Sequence, residues 1–292
     1  MKHQNRKYLM PNSLSPDVFT GKKWDEYCMF WHRHGINEHS ITCINSPERP
    51  LNSSVPTAAG VIATTETLST KLLYGEFKAK HFLMEGCGGV GSNAIQFLTE
   101  EHQVPGKNIT VIDSNMEACF NAQTKGANAV CVEANEYYQA LSQNDIKFDI
   151  WINNGVGDTV GLTEVINLLS SGIKIFVGGA NNLFKVSELE IVLDLIAKHG
   201  AFAFPDYACS GGGWTLAVLE QIRKIKGDLS VNALEVIKER NVKMALDALS
   251  DFKPGSDLWR TVAMQAEIKI AHALQQHSKL TEDDFVIDNW QL

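Results

Sequence analysis

The chain has 292 residues, 44% of them hydrophobic, and its 26 basic against 34 acidic residues give a formal charge of −8. That length holds one large α/β domain with an appendage, or two modest domains. The acidic balance and the lack of a basic block argue against a nucleic-acid partner, and no apolar run is long enough to make the protein a membrane one.

The N-terminal stretch MKHQNRKYLMPNS carries positive charge without an apolar core behind it, so it does not read as a signal peptide. Residues 1–56 look irregular, divided by Pro11, Pro16, Pro47, Pro50 and Pro56, with a helix expected from near Ser15 to His34. Within them, DEYCMFWHRHGINEHSITC gathers Cys28, His32, His34, His39 and Cys43. Such density invites a zinc reading, but the spacing fits no standard pair of ligand doublets. An aromatic-rich helix (Tyr27, Phe30, Trp31) packed on the following domain accounts for it without a metal, and no metal is expected. Cys87, Cys119, Cys131 and Cys209 complete six scattered cysteines with no CxxC pair, which read as the reduced thiols of a cytoplasmic protein.

After Pro56, TAAGVIATTETLSTKLL reads as a small-residue apolar helix. Strands and helices then alternate. KHFLMEG, NITVID, AVCVEA, FDIWINN, GIKIFVGG and GAFAFPD are the expected strands. SNAIQFLTEEH, MEACFNAQTKG, NEYYQALSQ, EVINLLSS and ELEIVLDLIAKH are the helices between them. Alternation of this kind predicts an α/β fold, a doubly wound parallel (Rossmann) sheet covered on both faces. From Trp214 to His277 the pattern is helical, broken at Gly227 and around KPGSD. The expected organisation is a reduced substrate-side segment at 1–56, a nucleotide-binding domain at 57–250, and C-terminal helices at 251–292. Those helices would pack back on the N-terminal segment or on another subunit.

Two glycine clusters carry the chemistry. FLMEGCGGVGSNAIQFL places Gly86, Gly88 and Gly91 in GxGxxG spacing between a predicted strand and a predicted helix. The first glycine permits a tight turn, the second admits backbone amides to a pyrophosphate, and the third lets helix and strand touch. Gly89 and Val90 then open a helix whose N-terminus favours an anion. The next strand ends in Asp113, followed by Ser114, and Asp113 lies 22 residues beyond Gly91. A carboxylate there suits the ribose 2′-hydroxyl of NAD. No Arg follows it in SNMEA, which prefers NAD over NADP. The second cluster, FPDYACSGGGW at 204–214, is a turn of three glycines opening on Trp214. Alone it reads equally as a flexible helix start or as a close approach to a ligand.

From about Ser53 to about His277 the chain resembles the glutamate/leucine/phenylalanine/valine dehydrogenases, the leucine and phenylalanine members above all. VPTAAGVIATTETL, EGCGGVGSNA with VIDSN, FDIWINNGVGDTV, KIFVGGANNLF and FPDYACSGGGW follow one another in family order. The resemblance implies an NAD-dependent oxidoreductase acting on an amino acid or a derived amine or imine, in specialised biosynthesis. Thr57, Asn153, Asn154, Gly155, Asn181 and Asn182 would then border the nicotinamide side of the cofactor. Ser210, Gly211, Gly212 and Trp214 would shape the substrate pocket. SPDVFTG resembles the family's aspartate segment and offers Asp17 as the catalytic acid/base, whereas as plain sequence it reads as a helix N-cap region. The family's lysine segment has no counterpart in the sequence, and His32 or His34 is a candidate to replace it. Ser210 stands where the family usually has Asn, so the substrate contacts differ. A bulky or carrier-bound substrate would suit a reduced substrate domain. The rival class is a non-catalytic NAD-binding sensor or partner subunit. The family's assembly surfaces lie largely in the domain that is reduced here, and a homodimer is the simplest expectation.

Overall fold

The computed structural model describes residues 53–141, 147–216, 219, 232–253 and 256–277, together with the two-residue strands β1 (Tyr8–Leu9) and β2 (Ile41–Thr42), which pair in parallel. Asp17, the helix expected at 15–34 and the Cys28–Cys43 cluster fall outside the described residues.

Six strands make one parallel sheet: β3 (Phe82–Glu85), β4 (Ile109–Asp113), β5 (Asn128–Cys131), β6 (Ile150–Asn153), β7 (Ile175–Gly178) and β8 (Phe202–Ala203). Their order across the sheet is β5-β4-β3-β6-β7-β8. The chain therefore winds one way from β3 and the other way from β6, the doubly wound arrangement expected from the alternation. Strands FLME, IWIN and IFVG are buried at every position, which is why they read as unbroken runs and not as alternating ones. Alternate side chains feed two cores. Phe82, Met84, Ile152 and Val177 point into one, while Leu83, Trp151 and Phe176 point into the other.

The helices are α1 (Ser54–Leu72), α2 (Gly89–Gln96), α3 (Met116–Thr124), α4 (Ala134–Leu141), α5 (Leu162–Ser170) and α6 (Leu189–Lys198). A single turn, α7 (Asp206–Cys209), precedes the long α8 (Ala233–Asp251) and α9 (Leu258–His277). Helix α1 is buried almost all round, because Ala58, Ala59, Gly60 and Ala63 let its neighbours come close. Helix α8 lies along it. On α9, Leu258 and Val262 enter the first core and Trp259 enters the second, stacking near Phe184.

The helix expected over SNAIQFLTEEH starts earlier, at Gly89, and runs on as a π-helical turn over Phe97–Glu101. A glycine start has weak helix propensity and hides the boundary from periodicity. The strand expected over GAFAFPD shrinks to Phe202–Ala203. It is the edge strand, paired with β7 alone, and Pro205 ends the ladder.

Candidate cofactor and substrate cleft

The switch point lies between β3 and β6, and three loops meet at its C-terminal edge. The first begins at Gly86, whose φ of +79° suits a residue without a side chain. A Cβ there would sit 2.5 Å from the Gly155 amide nitrogen, and one on Gly91 would sit 2.0 Å from the Gly86 carbonyl oxygen. Those two glycines are demanded by packing. Gly88 is different: a Cβ on it would meet nothing within 4 Å. Its neighbourhood is open, at the start of a helix that no side chain caps. Gly88 and Gly89 are exposed and Val90 is half-buried. The geometry separates two glycines required by packing from one that leaves open space at the start of α2.

Asp113 ends β4 beside this loop. Its Oδ2 accepts the Cys87 N–H at 2.8 Å and its Oδ1 accepts the Asn115 N–H at 2.8 Å. Each carboxylate oxygen keeps a further lone pair for a hydroxyl donor. A cleft of about 310 Å³ opens here, lined by Cys87, Gly88, Gly89, Ser92, Asn115, Glu117, Ala118 and Asn121. No basic side chain lines it, and Glu117 faces the same space. Ser114 is exposed at its rim. A larger cleft of about 670 Å³ between α6 and α9 includes none of the residues singled out by sequence.

The second loop follows β6. Asn153 is fully buried, and its Oδ1 accepts the Gly155 N–H at 2.9 Å. The Asn154 N–H donates to the Glu85 carbonyl at 2.7 Å, and its Oδ1 accepts the Gly179 N–H at 3.1 Å. The Nδ2 groups of both asparagines are buried without a hydrogen-bond partner among the described residues. A buried amide donor left unmade costs on the order of 1–3 kcal/mol, so two adjacent ones call for acceptors that the described residues do not supply.

The third loop follows β7. A Cβ on Gly179 would lie 2.9 Å from Asn154 Oδ1, 2.9 Å from Val90 Cγ1 and 3.4 Å from Thr57 Cγ2. Thr57, Val90 and Asn154 therefore converge on one backbone position from three separate elements. Asn181 and Asn182 are exposed beyond it. Asn182 holds a φ of +56°, fixed because its N–H donates to Asp206 Oδ2 at 3.0 Å and its carbonyl accepts the Asp158 N–H at 2.7 Å. Burial pushes the Asp206 carboxyl above its ordinary range, against the pull of backbone amides.

The glycine turn at 211–213 reaches the same region. Gly212 packs on α1 so closely that a Cβ would lie 1.9 Å from the Pro56 carbonyl oxygen and 2.8 Å from the Thr57 nitrogen. The glycines thus bring the backbone against the helix end that carries Thr57. Ser210 is buried and Trp214 is half-buried beside it. The turn is tied down from behind. Cys209 Sγ donates to the Gly178 carbonyl at 2.9 Å, and burial lifts its pKa to about 12, so it stays a neutral thiol. Asn241 of α8, fully buried, donates from Nδ2 to the carbonyls of Cys209 at 2.8 Å and Gly60 at 3.0 Å and to Thr64 Oγ1 at 3.1 Å. Sequence reasoning missed Asn241, whose polar place within the helix NVKMALDAL looks like a solvated face. Its signal was the glycine at 60, across α1, which leaves room for it.

A family model described as Glutamate/Leucine/Phenylalanine/Valine dehydrogenase matches residues 51–277. The chain belongs to this dehydrogenase family. Among solved structures it is similar to the L-tryptophan dehydrogenase of Nostoc punctiforme, with 17% identity and a TM-score of 0.60, over 90% of this chain and 74% of that one. It is similar to glutamate dehydrogenase 2 of Plasmodium falciparum, with 17% identity and a TM-score of 0.58, over 89% of this chain and 60% of that one. It is also similar to the hetero-hexameric glutamate dehydrogenase of Thermus thermophilus, solved in a Leu-bound form, with 15% identity and a TM-score of 0.58, over 88% and 61% of the two chains. The chain thus spans about three-fifths of those two glutamate dehydrogenases. No curated protein sequence gives a significant match. Among the described residues, no helix is long and apolar enough to cross a membrane, and no group of three or more His, Cys, Asp or Glu could hold a metal ion.

The family is one of amino-acid dehydrogenases. Of the residues singled out in the sequence, the fold brings Gly86, Gly88–Gly91, Asp113, Thr57, Asn153–Gly155 and Gly211–Gly212 to one edge of the sheet, with Asn181 and Asn182 exposed beyond them.

Proposed function

We propose that the protein is an NAD-dependent oxidoreductase acting on an amino acid or on an amine or imine derived from one. The observation that supports it best is the meeting of Thr57, Val90 and Asn154 around Gly179, beside two buried amide groups that lack acceptors among the described residues. A carboxamide-bearing ring has the acceptor those donors need and the flat shape that a glycine-floored slot accepts. The amides at the start of α2 and the open side of Gly88 would hold the pyrophosphate, and Asp113 the adenosine ribose hydroxyls. The acid-lined, base-free cleft around Asp113 and Glu117 would repel a 2′-phosphate, which favours NAD over NADP.

NAD, when bound, supplies the hydride acceptor at the carbon bearing nitrogen. The protein's part is placement and proton handling. Asn153 and Asn154 would orient the ring, and Asn181 and Asn182 would close its mouth. Ser210 and the Gly211–Gly212 backbone would position the substrate, with Trp214 beside its side chain. Fixing two reactants in register is worth roughly 7 kcal/mol or more of a barrier, which explains why these loops are so tightly packed. Asp17 would move the proton.

The test is NADH formation from NAD across the amino acids, repeated with Asp17→Ala. Turnover with a branched or aromatic amino acid, lost in the variant, supports the proposal. No turnover with any amino acid, amine or imine, in a protein whose melting temperature NAD raises, would sink the catalytic part of it.

A further inference from the structure

The last residue of β3 is Glu85, whose carbonyl accepts the Asn154 N–H and whose side chain takes no part in the proposed cofactor site. It lies just before Gly86, and it is 7% exposed. Its Oε2 accepts a hydrogen bond from the Tyr138 hydroxyl of α4, and Tyr138 Oη in turn accepts the Trp151 Nε1–H at 3.0 Å. Tyr138 and Trp151 are themselves fully buried, so this is a polar chain threaded through the second core. The other oxygen, Oε1, is directed at the loop after β6: a Cβ on Gly155 would lie 3.3 Å from it. Gly155 is the residue against which Gly86 is packed. The carboxyl is thus wedged beneath the two loops that would flank a dinucleotide.

Among the described residues no Lys, Arg or His pairs with Glu85. The titratable groups that act on Glu85 are Tyr138 from α4 and Asp113 from β4; Glu164 from α5 acts on Tyr138, and Cys87 of the glycine loop lies beside Asp113. From β6 come the uncharged Trp151 and Asn153. Burial and Asp113 keep Cys87 a neutral thiol, and burial together with Glu85 keeps Tyr138 a neutral phenol. The one group among them placed to exchange a proton near neutrality is Glu85, lifted to about 7 by burial, with the Tyr138 hydrogen bond lowering it and Asp113 raising it.

We propose that Glu85 is the proton site that governs how tightly this cleft holds an anionic dinucleotide. Protonated, it presents a neutral donor beneath the loop. Ionised, it adds a second negative charge to that of Asp113, under the place where the pyrophosphate would lie. Binding of the dinucleotide would therefore take up a proton, and affinity would fall as pH rises through the Glu85 range. For an unscreened carboxylate a few residues from the pyrophosphate, the loss is on the order of tenfold. This inference rests on the cofactor reading above.

The experiment is a fluorescence titration with NADH of the full chain and of two shape-conserving variants, Glu85→Gln and Tyr138→Phe, from about pH 6 to about pH 8.5. The parent should lose affinity roughly tenfold across that range, with a midpoint near neutrality. Glu85→Gln should hold the tight value throughout. Tyr138→Phe removes the hydrogen bond that lowers the Glu85 pKa, so its midpoint should move to higher pH. A pH slope in Glu85→Gln equal to that of the parent overturns the inference, as does a flat parent profile. Failure of the parent to bind NADH at any pH would instead defeat the cofactor reading, and this inference with it.

Discussion

Replacing Asn241 by alanine probes whether the substrate turn is held by one side chain. The Asn241 amide reaches Cys209 O at 2.8 Å, Gly60 O at 3.0 Å, Thr64 Oγ1 at 3.1 Å and Ala208 O at 3.4 Å. Two amide hydrogens serve the nearest of these four oxygens, and Asn241 is fully buried, so no water takes their place on truncation. Leaving a buried carbonyl without its donor costs roughly 1–3 kcal/mol. Removing a buried side chain of this size adds about 1–2 kcal/mol for the space left behind. Asn241→Ala should therefore lose about 2–5 kcal/mol, a sizeable part of an ordinary domain's stability of roughly 5–15 kcal/mol. Urea unfolding followed by far-UV circular dichroism measures it. Asn241→Asp is the sharper variant, because it keeps the shape and sets a carboxylate against four oxygens. It should cost at least as much as alanine. NADH affinity in a folded Asn241→Ala should change little, while the KM for the amino substrate rises as the 209–212 backbone loosens. A loss below about 1 kcal/mol, or an aspartate tolerated without cost, would refute the assignment of the turn's anchor to this amide.

The two kinds of glycine in the first cluster separate by assay. Gly86→Ala meets both a φ of +79° and a clash with the Gly155 nitrogen, so it should destabilise the fold by several degrees of Tm, whereas Gly88→Ala should leave Tm nearly unchanged and weaken NADH binding. Asp206→Ala frees the Asn182 amide from its 3.0 Å bond and should cut kcat about tenfold with the fold intact, read by steady-state kinetics beside a melting curve. Glu85→Gln should change stability with pH in one direction only. The Glu85 carboxyl is raised from 4.5 to about 7 in the folded state, so its stabilising contribution is complete below pH 4.5 and lost as pH rises through 7. The glutamine variant should match the parent near the acid end and exceed it by about 3 kcal/mol above neutrality in urea unfolding.

Much of the sheet could be read directly, because its strands are buried on both faces and so appear as short apolar runs between glycines. Phe82–Glu85, Ile150–Asn153 and Ile175–Gly178 all obey that rule. The GxGxxG loop was legible for the same reason: two of its glycines are fixed by backbone contacts under 3 Å, a constraint that leaves no other residue type available. What the linear pattern hid were contacts between elements far apart in sequence. Asn241 reaches residues 177 to 181 positions away on α1, and nothing around position 241 betrays a buried partner. Within KHFLMEG nothing marks Glu85 as buried, and its environment is made by Tyr138 and Trp151, 53 residues and more away along the chain.

The same comparison explains why the cleft combines demanding and permissive positions. Gly86, Gly91, Gly179 and Gly212 each stand where a side chain would collide with backbone or with Asn154 and Val90, so the loops can close on one another only at those points. Gly88 and the Nδ2 groups of Asn153 and Asn154 break that economy, being respectively open and unpaired. A fold selected for stability alone would satisfy those two donors, each for about 1 kcal/mol or more. Their persistence at the one edge where β3 and β6 diverge is what a ligand-binding cleft requires. In the proposed reading those donors would serve the ring and that opening the phosphates, with the Glu85 carboxyl packed against the Gly155 loop that Gly86 also touches.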